Sequence, residues 1–298
     1  MTGNRYRRPL AIAAFLTVTV AIVLAGRRID WTHALELTAT ARPGWILGGI
    51  AANAAILVCW TAYWKALRPN GEVPVSVRRM LEIVAASSSL MNTLPFGGGH
   101  ASSLVLLIRR GAMTQRGALS LLALDQLGEG VAKMSIFMGA ALLVPLPVWM
   151  RAGIITVAAA VSAWLATLAV AARYAEELAI LKSWRKSAAA LAGVLAMKIV
   201  QALAILAVQR AFGVELSAGG TLLVFAAITL GTMIPIAPGN LGTFEASAFV
   251  AYRYLGLPAD QALSLAIMQH VCFMVPSVGI GYLFFSAQTL SRSVMASR

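Results

Sequence analysis

The chain of 298 residues is 59% hydrophobic and only 12% charged, against roughly 25% charged residues in an ordinary soluble domain. Its apolar residues recur in blocks of about 20, the length that crosses ~30 Å of hydrocarbon, so a soluble globular fold is excluded. The net charge of +13 does not indicate nucleic acid either: no basic stripe interleaved with aromatics is present, and Lys and Arg cluster at the ends of apolar blocks, where they set membrane orientation.

Taken in chain order, Pro9 to Ala25 is the first predicted span. It follows Arg5, Arg7 and Arg8 and lacks a small-residue cleavage site before Arg27 and Arg28, so it is read as a retained helix rather than a removed signal peptide. Trp45 to Leu67 is the second span. Met80 to Leu107 is apolar but interrupted by Pro95, Phe96, Gly97, Gly98 and Gly99. Gly117 to Val144, Ala152 to Ala172 and Ala188 to Ala211 read as further spans. Thr221 to Tyr254 is again interrupted, by the run from Pro235 to Gly242, and Ala259 to Ser286 is the last span. Proline removes a backbone donor and glycine lowers helicity, so each interrupted segment breaks near its middle, into a re-entrant hairpin or two half-helices. Cys59 and Cys272 lie inside apolar blocks without CxxC spacing, so neither a disulfide framework nor a metal site is expected, and both read as packing residues.

With both interrupted segments returning to their own side and the N-terminus cytoplasmic, 16 of the 24 Lys and Arg fall inside, six fall outside, and Lys133 and Lys198 lie within spans. That asymmetry is the one the positive-inside rule requires. A repeat accompanies it. Ala118-Leu119-Ser120-Leu121 recurs as Ala262-Leu263-Ser264-Leu265, Ala85-Ala86 as Ala226-Ala227, and Pro95 as Pro235, at an offset near 142. The expected fold is therefore an all-α polytopic membrane protein, one integral domain over residues 1–298. It would hold two inverted-topology repeats (5–146 and 148–290), each of three transmembrane helices plus one re-entrant helical hairpin.

A duplicated transporter places its substrate site where broken helices meet, because interrupted backbone exposes N–H and C=O groups that need partners. Gly97, Gly98 and Gly99 let backbone approach a ligand and present amide donors to an anion, or else allow tight helix packing. Asp125, Glu129 and Lys133 recur every four residues and share a helix face. They read either as a site, since ionisable groups in a span face a cavity or each other, or as a self-neutralising set in which Glu129 pairs with Lys133 and Asp125 is left over. Lys198 and Gln201 lie in another apolar span, His100 in the first break, and Asn240 and Glu245 in or beside the second. Gln269 and His270 occupy the positions that match Asp125 and Gln126.

The run from Pro235 to Glu245, PIAPGNLGTFE, resembles the proline-glycine, leucine-glycine and glutamate signature of the lysylphosphatidylglycerol synthase transmembrane, flippase-like family. The likeness in layout covers nearly the whole chain. It implies a flippase-type membrane domain and assigns Pro238, Gly239, Gly242 and Glu245 to the lipid-translocation region. In that family the domain occurs alone or fused to a soluble aminoacyltransferase, and no such soluble domain is read here, so lipid aminoacylation is not expected. The first break departs from the family pattern, which has a basic residue, Gly-Glu and an Arg. Gly97 stands at the basic position, Gly99 at the glycine, His100 at the Glu and Ser103 at the Arg, leaving Arg109, Arg110 and Lys198 as cations for an anionic headgroup.

These readings give an expected site of Pro95, Gly97, Gly98, Gly99, His100, Asp125, Glu129, Lys198, Gln201, Pro238, Gly239, Asn240, Gly242, Glu245 and His270, with a lipid as substrate. At bilayer depth Glu245 is expected to be protonated, paired with a cation such as Lys198, or facing a wet cavity. No HExxH, GxSxG or GKS motif is present, so an intramembrane enzyme using His100, Asp125 and Glu129 is the weaker reading. A third is a non-transporting subunit of a lipid-synthesis complex. No cofactor, metal or nucleic acid is expected. The expected partners beyond the lipid are a second copy or a lipid-synthesis enzyme, and the expected location is the cytoplasmic (inner) membrane with both termini cytoplasmic.

Overall fold

The computed structural model describes residues 31–94, 98–171, 183–233 and 237–296, and the regular structure among them is entirely helical. The first apolar block and Pro95, Gly97 and Pro235 lie outside the described residues. The helices are α1 (Trp31–Thr40), α2 (Pro43–Leu67), α3 (Val77–Thr93), α4 (Gly98–Arg109), α5 (Gln115–Leu143), α6 (Val148–Ala171), α7 (Trp184–Ala211), α8 (Ala218–Gly231), α9 (Thr243–Tyr254) and α10 (Ala259–Ala296), with a 3-10 turn at Pro238–Asn240.

Among the described residues, three segments are long and apolar enough to cross a membrane: Pro43–Leu67, Trp184–Ala211 and Ala259–Phe284. Only 28%, 39% and 44% of their most apolar stretches is buried inside the protein. Side chains such as Leu142, Val148 and Leu283 point outward. An apolar surface of that extent needs hydrocarbon around it. Of the other expected spans, α5 at 29 residues is about 44 Å long, but Gln126, Glu129 and Lys133 dilute its apolar character. Helix α6, at 24 residues, is apolar along its sequence apart from Arg151.

Each interrupted segment folds into an antiparallel helical hairpin. In the first, Arg79 Nε donates to the Arg110 carbonyl at 3.2 Å where the hairpin opens, and Gly99 lies on Met91 at the tip. In the second, Gly220 lies near Leu255 at the open end and Gly231 against Ser247 towards the tip. The leading helices start alike, with Ser76 Oγ accepting from Arg79 N–H at 3.2 Å and Ser217 Oγ from Gly220 N–H at 3.1 Å. These are N-caps 141 residues apart in the sequence.

The halves interlock. Helices α2 and α7, which correspond under the sequence offset, run antiparallel, with Gly49 against Val208 and Gly193 against Tyr63, so small residues let the backbones approach. Helix α3 packs on α10, where Ser89 Oγ donates to the Val278 carbonyl at 2.7 Å. Helix α8 packs on α5, with Gly219 against Leu143. Each hairpin thus rests on the last helix of the other half. Among the described residues two large apolar cores result, one around Tyr63, Trp64, Ile83 and Leu121 that takes in Val194 of α7, and one around Val224, Ala248 and Leu265 that takes in Ile136 of α5, beside a small third cluster of Ala141, Val144 and Leu146.

Candidate functional site

The second break is built by backbone that only certain residues adopt. Gly239, Asn240 and Gly242 have φ of +63°, +54° and +86°, the left-handed region where glycine is cheapest and asparagine tolerated. Gly242 precedes α9, and its N–H donates to Glu245 Oε2 at 2.7 Å. This is half of a capping box, since glycine has no side chain with which to return the bond. The chain reversal carries Gly239 to the end of α3, where a Cβ would lie 3.3 Å from the Asn92 carbonyl oxygen and 2.8 Å from Met274 Cε. The tip of one hairpin therefore meets the other.

At the first break the close approach lies within the hairpin itself. A Cβ on Gly99 would stand 2.3 Å from Met91 Cα, whereas one on Gly98 would meet Leu94 Cβ at 3.3 Å. His100, in the first turn of α4, sits 3.3 Å from Gln126 Nε2 of α5. In the other half, Glu245 in the first turn of α9 sits 2.7 Å from His270 Nδ1 of α10. The two contacts join matching positions, 145 and 144 residues apart. The sequence reading offered Lys198 as the cation for Glu245, and the structure corrects that. His270 is the partner, stacked at 4.3 Å on Phe244, and its Nε2 is buried without a hydrogen-bond partner.

The stripe on α5 divides between two neighbours. Asp125, 2% exposed, accepts from Trp64 Nε1 at 2.9 Å, from Trp60 Nε1 at 3.4 Å and from Gln126 Nε2 at 3.3 Å. The self-neutralising reading left Asp125 over, but two indoles of α2 hold it. Glu129 meets Lys198 Nζ at 2.8 Å and Lys133 Nζ only at 3.8 Å, so its principal pairing crosses to α7 rather than staying on its own helix. Lys198 also donates to Gln201 Oε1 at 3.1 Å. Two half-buried ions paired this closely offset part of the desolvation cost that each would bear alone.

The ion pair opens on a cavity of about 210 Å³ lined by Glu129, Lys133, Lys198, Gln201, Asn240 and Gln269, with Phe225, Phe244 and Phe273 as apolar wall. Space of that size holds several waters or a small polar headgroup. His100, Asp125, Glu245 and His270 stand outside the lining. The cavity thus gathers Glu129, Lys198, Gln201 and Asn240 from the expected set and leaves the paired groups beside the tips behind it. The sequence reading passed over Trp60, Trp64, Phe244 and Tyr252. The four-residue spacing of the two tryptophans, which puts both on one face of α2, was the available signal.

An all-helical, multi-pass membrane protein in which two helical hairpins meet at their tips beside a cavity with charged, amide and aromatic lining is the class that fold and site define. The family comparison agrees over nearly the whole length. The family model described as lysylphosphatidylglycerol synthase TM region matches residues 10–281, and the chain belongs to that family, whose members are membrane proteins linked to lipid metabolism or flipping. A search of curated proteins finds no match.

Proposed function

We propose that the chain is a lipid translocase that moves a lipid or lipid-linked substrate across the cytoplasmic membrane. The observation that carries this reading is the meeting of the two hairpin tips, Gly239 against Asn92, beside a cavity lined from both halves by Glu129, Lys198, Asn240 and Gln269. Broken helices leave backbone and polar groups that a substrate headgroup can satisfy, while the acyl chains stay in the surrounding lipid. We read the hairpins as re-entrant from opposite faces, and the halves as inverted repeats (5–146 and 148–290). In support, the corresponding helices α2 and α7 run antiparallel, which repeats of equal orientation do not. Rocking one half against the other opens the cavity to each leaflet in turn, with both termini cytoplasmic.

Redistribution of a labelled lipid between the leaflets of proteoliposomes tests the proposal. Lipid movement by the protein alone is the expected result. Chemical conversion of the lipid favours an intramembrane enzyme instead, and neither movement nor conversion without a further protein favours a non-transporting subunit of a lipid-synthesis complex.

A further inference from the structure

The charge balance of the cavity deepens that reading. Its lining carries two ammonium groups, Lys133 and Lys198, against one carboxylate, Glu129, so the lining has a net charge of +1. Lys198 is 11% exposed and already serves Glu129 and Gln201. Lys133 lies 3.8 Å from Glu129, beyond a hydrogen bond. An ammonium has three donors, and a surplus cation facing a cavity at membrane depth calls for an anion.

A buried chain of hydrogen bonds ends at the cavity wall on an amide with an unpartnered atom. Thr221 Oγ1 donates to Gln209 Oε1 at 2.9 Å, and Gln209 Nε2 donates to the Tyr252 hydroxyl at 3.2 Å. Gln269, 3% exposed, has one amide atom on the same hydroxyl and the other without a partner. If both glutamines donated to Tyr252, the phenol hydrogen and a Gln269 oxygen would both be orphaned. Turning the Gln269 amide lets Tyr252 donate to its oxygen and removes both orphans, which leaves Gln269 Nε2 as the group in search of an acceptor.

Resting on the lipid-translocase reading, we propose that the cavity holds the phosphodiester of a singly anionic lipid, with Lys133 and Lys198 supplying the charge, Gln269 an amide donor, and Glu129 acting as the counter-ion that the phosphodiester partly displaces. One negative charge neutralises the lining. A zwitterionic lipid leaves it positive, and a net cationic lipid adds to the surplus. A glycerophospholipid and a glycosyl phosphodiester on a polyprenol share this chemistry.

Native mass spectrometry of the detergent-purified full chain reads binding without requiring movement. The probes are phosphatidylglycerol, a polyprenyl phosphoglucose, phosphatidylcholine and lysylphosphatidylglycerol. At least one of the first two binds about tenfold more tightly than phosphatidylcholine, the effect of one unit charge near 10 Å in an effective dielectric of about 20, and the tighter of the two identifies the source. Lys133→Gln removes most of that preference. Glu129→Gln strengthens binding of the anionic probe, a sign that a purely structural ion pair does not produce. Should Glu129→Gln fail to fold, the Glu129→Gln/Lys198→Gln chain, whose lining keeps a net charge of +1 through Lys133, replaces it and retains the preference for the anionic probe, which a further Lys133→Gln abolishes. Equal binding of all four lipids, preference for the cationic one, or an unchanged preference in folded Lys133→Gln overturns the proposal. Anion-selective binding without redistribution in proteoliposomes refutes the translocase reading and leaves the site standing, while redistribution without anion selectivity does the reverse.

Discussion

Replacing Glu245 by Gln separates a functional carboxylate from a structural one. Its two oxygens accept at 2.7 Å from Gly242 N–H and at 2.7 Å from the His270 ring. Glutamine keeps one acceptor, which can stay on Gly242, and turns an NH2 towards His270, which then has to present Nδ1 as an acceptor. Both bonds lose their charge assistance. Charged hydrogen bonds contribute about 1.5 to 3 kcal/mol and neutral ones about 0.5 to 1.5, so the change costs about 2 kcal/mol, with a further small loss because Glu245 sits at the positive end of α9. Glu245→Ala is expected to cost about 3 to 5 kcal/mol, since Gly242 N–H and the imidazole then both lack partners. Thermal unfolding in detergent gives the stability loss, and lipid redistribution per folded molecule gives the function. If Glu245 and His270 take part in substrate or proton movement, redistribution falls more than tenfold while the Gln variant stays folded. Normal redistribution by a well-folded Glu245→Gln protein removes the residue from the site.

Other changes probe the supports of the site. Trp64→Phe deletes the 2.9 Å donor to buried Asp125 and lowers stability by about 1 to 3 kcal/mol, whereas Trp60→Phe, at 3.4 Å, costs less in the same unfolding measurement. Gly99→Ala drives a methyl group onto the Met91 backbone and abolishes the folded fraction seen by size-exclusion chromatography, while Gly98→Ala is tolerated. Single cysteines replacing Arg109 and Arg253 in a background lacking Cys59 and Cys272 are labelled from opposite sides of the membrane. Labelling of both from one side contradicts the inverted arrangement.

The helices and breaks were legible because apolar block length, proline and glycine act locally. Pro43–Leu67 and Trp184–Ala211 match the expected spans Trp45 to Leu67 and Ala188 to Ala211 within a few residues, and both interrupted segments end in hairpin tips. Pairing across helices was less legible. The spacing of Glu129 and Lys133 put them on one face, but spacing says nothing of which helix lies opposite, and Lys198 on α7 is the nearer partner. Asp125 looked unpaired because its donors are indoles 61 and 65 residues away. Glu245 was offered Lys198 on charge alone, while the partner that packing delivers, His270, sits at the position that matches Gln126 in the other half. The duplication held that information. Once His100 aligns with Glu245 and Gln126 with His270, each contact predicts the other.

The claim that most needs testing is that lipid moves because the two tips separate and re-form. Asn92 and Gly239 are in contact, so cysteines at Asn92 and the neighbouring Asn240 can be bridged by a short cleavable bis-thiol reagent in a chain lacking Cys59 and Cys272. We expect the bridged protein in proteoliposomes to stop redistributing labelled lipid in both directions and to resume when the bridge is cleaved. Redistribution at an undiminished rate with the bridge intact would contradict the account.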